Sequence, residues 1–163
     1  MIKIVNKQAL SGLSNEAAKS TRLRKNLNFH EFAEDTLQRM LNAFEPDTYI
    51  CPHKHENPDK RELFILLKGK ILIVIFDDSG AVSDSVLLDR EKGNYAVEIA
   101  PRTWHTVISL EKGSVAFEIK DGPYNNETDK IFAPWAPSEN SPEAGKYLNK
   151  LLKAETVNPK LQD

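Results

Sequence analysis

The chain has 163 residues, 40% of them hydrophobic and 28% charged, with a formal net charge of −2. That length suits one domain able to bury a core without disulfides, and the near-neutral charge gives no ground for expecting a nucleic-acid partner. Cys51 is the lone cysteine, which excludes an intramolecular disulfide and points to a reducing compartment.

In chain order, residues 1–36 read as an N-terminal arm packing on a following domain. Met1 to Gln8 lacks the apolar run and small-residue cleavage site of a signal peptide. Ser14 is placed to cap a short helix running through Lys19. A basic stretch follows with Arg22, Arg24 and Lys25, and His30 close behind. Residues 37–133 carry short β-prone runs between turn signals. Gln38–Phe44 fits either helix or strand. Leu63–Leu67 and Ile71–Phe76 are two apolar runs hinged at Lys68-Gly69-Lys70, which reads as a hairpin. The second run is the longest apolar one and is too short to span a bilayer, so a cytoplasmic protein without membrane contact is expected. Asp77-Asp78-Ser79-Gly80 is a turn, Val82–Leu88 a strand, and Tyr95, Val97 and Ile99 alternate. Trp104–Leu110 and Val115–Lys120 complete the set. Six or more short strands with regular turns predict an all-β jelly-roll barrel or sandwich. Residues 134–163 form an extended, Pro-bounded segment and then a helix opened by Ser141-Pro142-Glu143. Tyr147, Leu148, Leu151 and Leu152 give that helix an apolar stripe for the outside of the barrel. The residues after Glu155 are expected to fray.

Within this pattern stand three histidines and an acid. His53 and His55 are two apart, so on a strand they point to one face. Glu62 follows six residues after His55, and His105 lies on a later strand. Three imidazoles and a carboxylate suit one divalent transition metal and can leave positions open for water or substrate. Cys51, two residues before His53, is either a thiolate ligand or a buried inert thiol. Glu118 and Lys120 share a face. If Val115, Phe117 and Ile119 point outward, the pair lines the barrel interior, where Arg39 could meet Glu118; if not, both are solvated.

His53, His55, Glu62 and Gly69, with His105 after Ala100-Pro101-Arg102, resemble the two motifs of the cupin superfamily. This chain departs from the common pattern in the longer Glu56–Arg61 stretch and in carrying Ala100 and Arg102 where Pro and Gly are usual. A finer resemblance is to WbuC-type cupin metalloproteins. It is carried by Arg24-Lys25-Asn26 with His30, Gln38–Asn42, Pro52–His55, Thr103–Thr106, Phe117–Tyr124 and Ala133–Pro137. The resemblance implies a single cupin barrel with an N-terminal arm and a C-terminal helix. It also implies a metal (Fe, Mn, Ni, Co or Zn) held by His53, His55, Glu62 and His105, and a place in surface-polysaccharide synthesis of the O-antigen type. Arg24, Arg39, Glu118 and Lys120 are then candidates to bind a small polar or anionic metabolite. His30 and Tyr124 are candidates for catalysis at the mouth. The expected activity is metal-dependent chemistry on a sugar or sugar-derived acid. An iron(II) dioxygenase and a non-enzymatic metal- or sugar-binding regulator are the alternatives, and a homodimer is compatible with all of them.

Overall fold

Ten short strands pair antiparallel into two five-stranded sheets among the described residues, which run from 2 to 157 in this computed structural model. In chain order the elements are α1 (Lys7–Lys19), β1 (Arg24–Asn28), β2 (Leu37–Phe44), β3 (His53–Lys54), β4 (Glu62–Lys68), β5 (Lys70–Phe76), β6 (Val82–Asp89), β7 (Ala96–Ile99), β8 (Trp104–Ser109), β9 (Ser114–Asp121), β10 (Ile131–Phe132) and α2 (Ala144–Val157). One sheet runs β1, β2, β9, β4, β7; the other runs β10, β3, β8, β5, β6. The two face each other as a jelly-roll barrel, the all-β architecture expected from the sequence. No helix among the described residues is long and apolar enough to cross a membrane.

Strand alternation builds three apolar layers from these sheets. Between them lie Phe44, Phe64, Leu66, Ile71, Ile73, Leu88 and Val107. On the outer face of the first sheet, Leu41, Ala43 and Val115 meet Leu13 and Ala17 of α1. On the outer face of the second, Leu72, Val74, Phe76, Trp104 and Ile108 meet Ala144, Leu148 and Leu151 of α2. β5 is therefore covered on both faces, which is why its sequence is continuously apolar rather than alternating. The inner apolar layer fills one end of the barrel. The inward positions toward the other end, Gln38, Glu62, His105, Glu118 and Lys120, are polar, and that end holds the site.

Three expectations change. Helix α1 begins at Lys7, because the Asn6 side chain caps it by accepting the Ala9 N–H at 3.0 Å. Ser14 is thus mid-helix, its hydroxyl 2.9 Å from the Leu10 carbonyl, the back-bond that serines adopt inside helices. Arg24–Asn28, read as part of the arm, is the edge strand of the first sheet, pairing from Arg24 with Phe44 to Asn28 with Met40. Helix α2 continues to Val157; the remainder of the end expected to fray, 158–163, lies outside the described residues.

The Gly69 hinge has φ +76°, and a Cβ there would meet Ser114 Oγ at 2.3 Å and Ser114 Cα at 2.7 Å. Left-handed strain and a backbone clash then add. Gly69→Ala is expected to lower stability by about 2 kcal/mol or more, read as a reduced denaturant midpoint at unchanged slope. An unshifted midpoint would show that the hairpin can relax around the new methyl.

Candidate metal centre

β3 is only two residues long, yet it places the first imidazole directly opposite the last. His53 pairs in register with His105 of β8. His55, two residues on, falls on the same inner face. Glu62 opens β4, in register with Lys120 of β9 and Ile99 of β7. The four side chains come together with all ligand-type atoms within 4.8 Å of one another, and all four residues are buried. The Glu62 carboxylate stands 3.0 Å from His55 Nε2 and 2.9 Å from His105 Nε2.

The ring protons are assigned by the backbone. His53 Nδ1 lies 2.9 Å from the Cys51 carbonyl, His105 Nδ1 lies 2.9 Å from the Thr103 carbonyl, and His55 Nδ1 contacts the Asp129 carbonyl. A carbonyl only accepts, so each Nδ1 carries a proton and each ring turns its Nε2 inward, the nitrogen whose lone pair a neutral imidazole offers to a metal. Burial first, then the nearby Lys130 charge, push His53 well below its usual value, so this ring is neutral at pH 7.

Lone pairs and a carboxylate thus face one another across about 3 Å, and neither His55 Nε2, His105 Nε2 nor Glu62 Oε2 has a hydrogen-bond partner. A buried polar atom left unpaired is costly, and a cation between these atoms removes the cost. The spacing fits one: two ligands at right angles on a metal with bonds of about 2.1 Å stand about 3.0 Å apart. The donor set, three nitrogens and one oxygen, suits a divalent transition metal, and each imidazole already has the carbonyl partner that ligating histidines have.

The site opens into a cavity of about 730 Å³, lined in part by His53, Glu62 and His105. The other expected residues divide. Glu118 and Lys120 line this cavity, because Val115 and Phe117 do face outward onto α1. His30 and Tyr124 also line it. His30 Nδ1 lies 3.1 Å from both the main-chain nitrogen and the carbonyl oxygen of Arg39, which anchors the ring to β2. Tyr124 is 42% exposed and its hydroxyl donates to Asn126 Oδ1. Arg24 lines the cavity as well, but its guanidinium is held by Glu139 at 2.5 Å and by the Tyr49 carbonyl at 2.9 Å. Arg39 is a correction. It alternates with the inward residues Gln38 and Met40, so it points away from the cavity, reaches the Phe29 carbonyl and does not meet Glu118. Asn42 takes that place, donating to Glu118. Burial, then the Glu62 charge, raise the Glu118 carboxyl to about 7. Cys51 is also settled: it packs with Tyr49, Leu72 and Val74 outside the barrel interior, as a buried free thiol.

Residues not anticipated from sequence surround the centre. Lys60, in the Glu56–Arg61 stretch, is buried and paired with Asp129 at 2.8 Å. Arg102, standing where Gly is usual, does adopt the left-handed conformation that favours Gly, at φ +66°. Its N–H donates to the His55 carbonyl at 2.9 Å, and its guanidinium holds Asp59 of the long stretch at 2.9 Å. The length of that stretch was the only signal that it carried structure.

Comparison with known proteins agrees with the barrel. The chain is similar in structure to the capsular polysaccharide assembling protein CapF from Staphylococcus aureus, with 19% identity, a TM-score of 0.55, and coverage of 66% of this chain and 28% of that one. It is also similar to the DMSP lyases RdDddP and RnDddQII, with 11% identity, a TM-score of 0.50, and coverage of 68% and 52%. A third similarity is to a cupin superfamily protein from Desulfitobacterium hafniense DCB-2, with 12% identity, a TM-score of 0.47, and coverage of 60% and 76%. At such identities the likeness is one of fold, the jelly-roll barrel. A comparison of the sequence with curated proteins gives no match. Residues 5–88, just over half of the chain, match the family described as Domain of unknown function (DUF6016), and the protein is a member of that family.

Proposed function

We propose that this protein is a cupin metalloprotein of the WbuC type that binds a small acidic sugar or sugar-derived acid in its cavity, in the context of surface-polysaccharide synthesis. The observation that carries the metal reading is the set of three Nδ1–carbonyl contacts, which leaves the Nε2 atoms of His55 and His105 facing a buried carboxylate, with His53 in the same cluster. His53, His55, Glu62 and His105 would hold the ion, which as a Lewis acid would polarise a carbonyl or hydroxyl oxygen.

The chain's own residues supply the rest. The cavity has the volume of a small-molecule site. Of the cations lining it, Arg22 and Arg24 are paired with Glu139 and Lys120 with Asp129, whereas Lys25 and Lys130 have no ion pair among the described residues. Uncommitted cations beside a cationic centre favour an anionic ligand. Glu118, raised to about 7 by burial and Glu62, is placed to move a proton near neutral pH, and the His30 ring also lines the cavity. Asn28 and Tyr124 add neutral hydrogen-bonding groups for hydroxyls. The polysaccharide context rests on the sequence resemblance; among the fold neighbours, CapF is described as a capsular polysaccharide assembling protein.

Calorimetric titration of metal-loaded protein with D-glucuronate and D-glucose tests this reading. The acid is expected to bind at least about tenfold more tightly, the effect of roughly one charged hydrogen bond. Equal affinity for the two, or no binding of either, would remove the acidic-sugar reading.

A further inference from the structure

One buried charge cluster beside the centre has no part in the chemistry proposed above. Asp129 lies between β9 and β10. Its Oδ1 accepts from Lys60 Nζ at 2.8 Å and its Oδ2 from Lys120 Nζ at 2.7 Å, and the three side chains are no more than 5% exposed. Lys60 Nζ has a second acceptor in the Pro123 carbonyl. The same Asp129 contacts the centre twice: its main-chain carbonyl accepts from His55 Nδ1, and the ammonium it holds lies 3.9 Å from Glu62 Oε1.

Lys120 therefore stands between two buried carboxylates, 2.7 Å from one and 3.9 Å from the other. A buried ammonium needs an anion, because desolvation is offset only by close pairing. With Asp129 present that need is met away from the centre, and the Glu62 charge remains for a cation. Without the Asp129 carboxylate, the buried acids left to Lys120 are Glu62, 3.9 Å away, and Glu118, and an ammonium drawn onto Glu62 competes directly with a metal ion.

We infer, on the basis of the metal-centre reading above, that Asp129 is a positioning residue that keeps Lys120 from neutralising Glu62, while its carbonyl fixes the His55 nitrogen that faces the same point. The loop between β9 and β10 thereby sets the affinity of the centre without supplying a ligand to it.

Cobalt(II) titration of chelator-treated protein, followed by visible absorption, tests this. Asp129→Asn is expected to weaken cobalt binding about 10–100-fold, the usual effect of losing a partner behind the ligands. Adding Lys120→Met to that variant removes the competitor and is expected to bring the affinity back to within about threefold of the unmodified protein. That recovery separates positioning from a merely structural role, which the second substitution would leave uncorrected. Circular dichroism accompanies each variant. Where Asp129→Asn alone fails to fold, Lys60→Met/Asp129→Asn, with its buried charge balanced, is expected to show the same weakening. Unchanged cobalt affinity after loss of the carboxylate, or weakening that Lys120→Met does not correct, overturns the role of Asp129. Absence of cobalt binding in the unmodified protein overturns the metal-centre reading itself.

Discussion

Protein purified without chelator should carry close to one divalent metal ion per chain, and a His53→Ala/His105→Ala variant should carry none. Those two residues face each other across β3 and β8, so the double change removes two of the four converging donors and leaves His55 and Glu62. Two donors do not close a site for a transition metal in competition with water. Elemental analysis reads the loss directly. Thermal unfolding reads it independently, because a ligand that binds only the folded state at a hundred times its Kd stabilises it by about 2.7 kcal/mol. For a chain of this length that is a rise in Tm of roughly 5–11 °C, which the variant should not show. The identity of the metal orders the chemistry: iron would raise oxygen activation, zinc Lewis-acid chemistry. Failure of the unmodified protein to take up any of several divalent ions would mean that the lone pairs facing Glu62 are satisfied by protons instead, and the metalloprotein reading would fall.

Glu118→Gln is expected to remove a pH dependence of stability in the metal-free protein. The Glu118 carboxyl is buried and raised from 4.5 to about 7, first by burial and then by the Glu62 charge. Between those values the folded state binds a proton that the unfolded state has released, so stability falls as pH rises from about 4.5 to about 7 and is level above. The span corresponds to about 3 kcal/mol. Gln has the same shape, keeps an oxygen to accept from Asn42, and carries no charge to desolvate. Denaturant unfolding in chelator should therefore show the variant about 3 kcal/mol more stable than the unmodified protein at pH 8, with the two converging near pH 4.5. Loading with metal should shrink the gap, because a cation at Glu62 offsets the repulsion. A constant difference across this range would place the titration elsewhere.

The part of the site that could be read from the sequence is the part encoded by strand periodicity. His53 and His55 share a face because they are two apart. Glu118 and Lys120 were tied to the interior through one condition, that Val115, Phe117 and Ile119 face out, and Val115 and Phe117 do pack in the layer with α1. The same rule misled at Arg39: strand β2 could not be told from a helix, so the inward set Gln38, Met40 and Asn42 could not be picked from its neighbours. Ser14 was misplaced because a good capping residue is also tolerated mid-helix once it bonds back to the preceding turn. Lys60 and Asp129 were out of reach for a different reason. They lie in loops 69 positions apart and meet only because the barrel closes, and no local pattern encodes such a contact.

The Arg102 turn has a consequence for how this chain can vary. An arginine holds a left-handed backbone there, while its N–H is bound to the His55 carbonyl and its guanidinium to Asp59. Loop length and side-chain identity at two distant points are therefore a single exchangeable cassette. A homologue with a short connection between the second histidine and the glutamate has no Asp59 to reward an arginine, and glycine is then the cheaper occupant of the turn. Grafting either half alone onto another barrel would import the strain without its compensation. Moved together, residues 56–61 and position 102 should carry the geometry of the second histidine with them.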